Sequence, residues 1–152
     1  LAGIPFPVDV QTMFVSVRRA AREDGVAEAK RIWRRSTWLT PVRDQEALGR
    51  ELDHILGEYS GWHWTHDNPF QNIDPPAAER LTELDIPSAI ITGEHDLAYN
   101  AAIGQLLVSR VRGATELRLP DAGHLANMEA PQAVNRAIVQ VAALADYSSR
   151  KH

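Results

Sequence analysis

Two residues of this chain have the types that general-base chemistry needs, Asp96 and His124. Each follows a short apolar run that stops at a glycine-containing turn. The first run is Ser88-Ala89-Ile90-Ile91-Thr92-Gly93-Glu94-His95-Asp96; the second is Thr115-Glu116-Leu117-Arg118-Leu119-Pro120-Asp121-Ala122-Gly123-His124. Runs of this kind read as strands ending in turns. A carboxylate beside an imidazole can fix its tautomer and stabilise the imidazolium as it forms, which makes the imidazole a general base for a nucleophile. In isolation, Asp96 after Gly-Glu-His also fits an ordinary turn residue or helix N-cap. Glu94 and His95 are its rivals at the turn and read as solvent-facing neighbours. Gly123 permits a tight turn that presents the His124 ring.

The elements between the two residues decide whether they can meet. A strand at about 88–93, a helix at about 100–112 and a strand at about 115–119 form a βαβ unit, with parallel strands and a right-handed crossover. Both turns then open on one edge, between strands roughly 4.8 Å apart. Open α/β sheets keep their ligand sites at that edge.

Two stretches carry a family resemblance. Ile86-Pro87-Ser88-Ala89-Ile90-Ile91-Thr92-Gly93-Glu94-His95-Asp96 and Gly123-His124-Leu125-Ala126-Asn127-Met128-Glu129-Ala130-Pro131 resemble the acid turn and the histidine turn of α/β-hydrolase-fold enzymes. That family orders its triad nucleophile, acid, histidine. The resemblance covers about residues 75–145 and implies that Asp96 is the acid and His124 the histidine. Residues 1–74 look like the helical cap of such enzymes. It implies a partial α/β-hydrolase fold of the α/β class, a helical cap followed by a βαβ unit and a C-terminal helix. Domains are expected at 1–74 and 75–152.

One part of the family pattern is missing. The family nucleophile sits on a G-x-S-x-G elbow, and no such motif occurs in these 152 residues; Tyr59-Ser60-Gly61 lacks the first glycine and a preceding strand. The expectation is the C-terminal portion of a serine-type hydrolase for an ester, lactone or related carbonyl compound, inactive by itself. A start at Leu1 without methionine suits a processed, excised or proteolysed product or a designed start. Other members of the fold use an aspartate nucleophile or cleave C–C bonds, so fold does not fix the reaction. The alternative is a hydrolase-like interaction module, or a fragment with no independent role.

Composition narrows the classes. The chain has 152 residues, about one domain, with 44% apolar and 24% charged residues, as in an ordinary globular protein. Sixteen basic against twenty acidic side chains give a net charge of −4, with a pI near 5.8. That leaves no footprint for nucleic acid or for anionic membrane surfaces. Arg18, Arg19, Arg22, Arg34 and Arg35 are interleaved with acids and read as solvated helix faces. With no cysteine, disulfides and thiolate nucleophiles are excluded, in keeping with a cytoplasmic location. No run of about 18 apolar residues suggests a membrane helix, and residues 1–20 do not resemble a signal peptide.

In chain order, residues 1–7 read as an extended lead-in. Val10, Met13, Phe14, Val17, Ala20 and Ala21 recur at helical spacing up to Gly25. A second helix is expected at about 26–36, broken by Thr40-Pro41. A third starts with Asp44 as N-cap, turns Leu48, Leu52, Ile55, Leu56 and Tyr59 to one side, and ends at Gly61. Residues 62–70 are aromatic-rich and aperiodic, a linker in which Trp62 and Trp64 either staple the cap or, with Leu125, contact a small-molecule substrate. His63, His66 and Asp67 could ligate zinc in principle, but they lack a helix to align them and a fourth ligand, so neither metal nor other cofactor is expected. A short helix at 77–84, a final helix from Pro131 with Val134, Ala137, Ile138, Val141, Ala142 and Ala145 inward, and a frayed end at 148–152 complete the reading.

Two parallel strands do not make a stable sheet. The free edge of the first invites a partner, expected to be an N-terminal half of the hydrolase fold or a second copy of this chain.

Overall fold

The computed structural model describes residues 7–67 and 74–149. The expected lead-in at 1–6, residues 68–70 of the aromatic stretch and the terminus at 150–152 lie outside them. The chain divides into two compact units, one holding residues 7–67 and the other 74–149.

The first unit is helical. Helices α1 (Val8–Glu23) and α2 (Val26–Arg34) pack together, and α1 buries Val10, Val17, Ala20 and Ala21 as its spacing predicts. Val17, Ala20, Ala21, Ala29 and Trp64 form one core cluster, flanked by Met13, Val26, Ile32, Trp33 and Tyr59. Burying a valine such as Val17 completely contributes roughly 1.5–3 kcal/mol. Aromatic edges complete the packing, with Tyr59 and Trp64 rings 4.8 Å apart at 85° and Phe14 5.6 Å from Trp33.

Several local expectations are corrected here. Helix α2 stops at Arg34, and Thr37–Leu39 forms a 3-10 turn. Pro41 does not simply break the chain; it enters the first turn of a short helix α3 (Thr40–Arg43), where a missing N–H costs nothing. Asp44 is not an N-cap. It closes α3 and accepts a 2.9 Å bond from Arg43 Nε, while α4 (Glu46–Glu58) starts after Gln45 with no side-chain cap. Within α4, Leu52 and Leu56 are buried but Ile55 is 47% exposed, so the apolar stripe is narrower than predicted. Residues 62–65 are a helical turn, α5 (Trp62–Thr65), rather than aperiodic chain. Gly61 makes that turn possible: its φ is +75°, and a Cβ there would lie 2.6 Å from Val26 Cγ1.

The second unit opens with two 3-10 turns, Ala77–Glu79 and Leu81–Glu83, in place of the expected single helix. Then follow strand β1 (Ser88–Gly93), helix α6 (Ala98–Arg110) and strand β2 (Ala114–Leu119). The strands pair in parallel from Ser88↔Ala114 to Gly93↔Leu119. This is an α/β unit whose sheet, among the described residues, has two strands.

Helices lie on both faces. A Cβ at Gly104 of α6 would meet the Thr92 methyl at 2.5 Å, so even-numbered β1 positions face α6. Side chains alternate along a strand, and Ala89 lines a space with Ala137 and Val141 of α8 (Pro131–Ser149) on the opposite face. Ser148 and Ser149 continue that helix where a frayed end was expected. Between β2 and α8 lies the short α7 (Ala126–Glu129).

Candidate active site

The pairing register sets the site. Because Gly93 is opposite Leu119, both strands end at one level, and the turns after them start side by side. The turns are then tied together. Glu94 N–H donates to Leu119 O at 2.9 Å, and His95 N–H donates to Ala122 O at 2.9 Å. Gly93 is the point of closest approach, since a Cβ there would sit 2.2 Å from Ala122 O and 2.4 Å from Gly123 O. Any larger residue would push the histidine turn away by displacing backbone.

Held in this way, Asp96 and His124 meet. His124 Nδ1 lies 3.0 Å from Asp96 Oδ2 and 3.2 Å from Oδ1. The carboxylate can only accept, so the proton is assigned to Nδ1 and the Nε2 lone pair is left for proton transfer. The Asp96 side chain is 10% exposed and that of His124 35% exposed. The carboxyl is thus shielded while the ring reaches the surface.

Asp96 is oriented by two further donors. Leu97 N–H and Asn100 Nδ2 each donate to Oδ1 at 2.7 Å. Asp96 therefore also organises the start of α6, so its turn role and its pairing with His124 coexist. Burial alone would raise the Asp96 carboxyl; hydrogen bonds from His124, Asn100 and Leu97 outweigh it and hold the group below the usual aspartate range. The bond to Asp96 raises the His124 imidazole above its ordinary value against the opposing effect of burial, and the charges of Asp96 and Glu129 add to it. Such a pair can stabilise an imidazolium, the form a general base takes on accepting a proton.

The histidine turn has its own brace. Glu129 Oε2 accepts from Gly123 N–H at 2.8 Å, and Oε1 accepts from Leu125 N–H at 3.1 Å. Leu125 itself is half-buried beside His124. Sequence reasoning gave no role to Asn100 or Glu129. Asn100 had a usable signal, its position four residues after Asp96 at the start of a helix.

The other candidates have different surroundings. Glu94 is exposed and pairs with Arg118 at 3.3 Å, and His95 is exposed. Trp64 belongs to the core of the helical unit at 8% exposure, whereas Trp62 is 47% exposed and stacks on His66 with ring centroids 4.8 Å apart. His63 Nδ1 is engaged by the Tyr59 hydroxyl at 3.1 Å, and Asp67 pairs with Arg22 at 2.7 Å and Arg18 at 3.4 Å. Among the described residues no three His, Cys, Asp or Glu side chains are grouped to hold a metal. No helix among them is long and apolar enough to cross a membrane.

Comparison with curated proteins finds a distant relative. Over 111 residues, 68% of this chain and 39% of the other protein, the chain is 29% identical to 3-oxoadipate enol-lactonase 2 of Acinetobacter baylyi. It therefore spans well under half the length of that relative. No family model matches the chain, and no solved structure matches it significantly. The similarity is distant and links the chain to a hydrolase-type enzyme.

Proposed function

We propose that these residues are the acid- and histidine-bearing portion of a serine-type α/β hydrolase that cleaves an ester, lactone or related carbonyl substrate. The observation that carries this reading is the Asp96–His124 pair at the shared C-terminal edge of β1 and β2, 3.0 Å apart and braced from both turns. Similarity to an enol-lactonase supports the substrate class.

In this mechanism Asp96 holds the His124 tautomer. Nε2 takes the hydroxyl proton of a serine supplied from outside these 152 residues as its oxygen attacks the carbonyl carbon. Collapse of the tetrahedral intermediate breaks the bond to the leaving oxygen, which takes the proton from the imidazolium. Water, deprotonated by His124 in turn, then hydrolyses the acyl-enzyme. Leu125, half-buried beside His124, is the proposed substrate contact of the α/β unit; in the helical unit Trp62 is exposed, and Trp64 fixes α5 from the core. No cofactor takes part, and a cysteine-free chain suits a reducing compartment such as the cytoplasm.

The same reading supplies a partner for β1. This strand is apolar on both faces at Ala89, Ile90 and Ile91, the pattern of a strand enclosed within a parallel sheet, yet all three are only half-buried. Beside it runs a groove of about 510 Å³ lined by Pro87, Ile91, Ala137, Ile138 and Val141. By contrast β2 exposes Thr115, Glu116 and Arg118, as an edge strand should. A strand carrying the rest of the hydrolase fold, or one from a second copy, belongs on the open side of β1.

Intact mass of every polypeptide in an ester-hydrolysing preparation tests both statements. The expected result is a companion sequence with a G-x-S-x-G elbow. Ester turnover by a monodisperse preparation of these 152 residues alone would overturn the reading.

A further inference from the structure

The Glu129 carboxylate makes an unusual use of its two oxygens. One binds the amide before His124 and the other the amide after it, at 2.8 Å from Gly123 N and 3.1 Å from Leu125 N. Only the residue that carries the imidazole lies between them. Glu129 lies in the single turn of α7, so its bond to the Leu125 amide also caps that turn; the bond to the Gly123 amide, which lies before the helix, is the one that capping does not account for.

We propose that Glu129 is a positioning residue for His124, clamping the peptide groups on both sides of it so that the ring is held toward Asp96. The inference rests on the reading of His124 as the base. A carboxylate suits the task because it offers two acceptors and no donor, whereas the amide of a glutamine offers one of each and would turn an N–H toward a backbone N–H. Charge-assisted bonds to backbone amides are also the stronger kind.

The clamp closes a three-sided support. The β1 turn grips Ala122 O through the His95 amide, and Gly93 lets the two turns approach. Asp96 takes the ring from one side, and Glu129 fixes the backbone from the α7 side. Among the described residues, the charged groups that act on the imidazole include Asp96 from the β1 turn and Glu129 from α7, with the neutral Asn100 amide on α6 3.1 Å from Nδ1. The carboxylate adds a second effect, since its charge favours imidazolium.

Two conservative variants separate position from charge. In the isotopically labelled chain, within the assembly in which it is folded, His124 is titrated by NMR and exchange is followed at the Gly123 and Leu125 amides. Glu129→Gln loses both charge and one acceptor: the His124 pKa falls, and exchange at one or both amides accelerates by roughly tenfold or more, as expected for loss of a charge-assisted bond. Glu129→Asp keeps the charge but is one methylene too short to span both amides, so exchange accelerates while the His124 pKa falls less. Unchanged exchange and an unchanged His124 pKa in Glu129→Gln would overturn the proposal. So would loss of protection throughout β1 and α6 in both variants, which would make Glu129 a general structural brace. The hydrolase reading fails separately, through an assembly that hydrolyses no ester while the Glu129 variants still shift His124.

Discussion

The helical unit and the α/β unit solve the same problem to different degrees. The first encloses its core: Val17, Ala29 and Val42 are completely buried, and Trp64 packs edge to face on Tyr59 and at 45° to Trp33. The second buries Leu81, Val111, Leu119, Ala122 and Ala137, but its most apolar strand stays half-covered, and Ile138, Val139 and Leu144 of α8 are more than half exposed. The contrast separates two kinds of stability. Packing holds the helical unit, whereas the candidate site in the α/β unit is held by polar ties between turns on a sheet with an open flank.

Substitutions can break or sharpen that contrast. The largest effect belongs to Trp64→Ala, expected to cost about 3–5 kcal/mol in denaturant unfolding followed through the helical unit, as for other buried aromatics. Next comes Ile91→Ala. With the flank of β1 open it should cost about 1 kcal/mol, and roughly 2–4 kcal/mol once a partner covers the strand, so the difference between free and assembled chain reports on the missing cover. Gly93→Ala places a methyl group against two carbonyl oxygens and should cost about 1–3 kcal/mol. Its diagnostic readout is the loss of the elevated His124 pKa, because the turns are forced apart.

The pH dependence is set by the pair itself. His124 is raised, so its contribution to stability is complete below the unfolded value of about 6.5 and is lost as pH rises through its folded value. Asp96 is lowered, so its contribution is present above the ordinary aspartate value and is lost as pH falls through its folded value. A pH series of unfolding midpoints on wild type and Asp96→Asn checks this: the variant should lose both limbs. The smallest effect is expected for Arg50→Ala, which removes an exposed i,i+4 pair with Glu46 in α4 and should change stability by no more than about 0.5 kcal/mol.

Much of this was legible in the sequence because it rests on period and order. The runs at about 88–93 and 115–119, with a helix-length segment between them, called for parallel strands whose turns open on one edge, and so for Asp96 near His124. The stripe of α1 followed from its spacing alone. What escaped depends on local geometry that spacing does not encode. Asp44 looked like an N-cap, but its carboxylate is taken by Arg43 and its backbone closes the preceding turn. Residues 62–65 are too short for helical periodicity to show, and the turn depends on a positive φ at Gly61. Glu129 lies within the stretch that resembled the histidine turn, yet its bonds to two backbone amides become visible only once the loop has folded.

The most direct test of the central reading is ester or lactone turnover against pH, by the assembly that contains this chain, with wild-type His124 and with His124→Gln. The account predicts a rate that rises with pH through an elevated histidine value in the wild type, since the base must be neutral to act. It predicts a fall in kcat of roughly 10⁴-fold or more, with that limb abolished, in the variant. Turnover and pH profile unchanged by His124→Gln would contradict it.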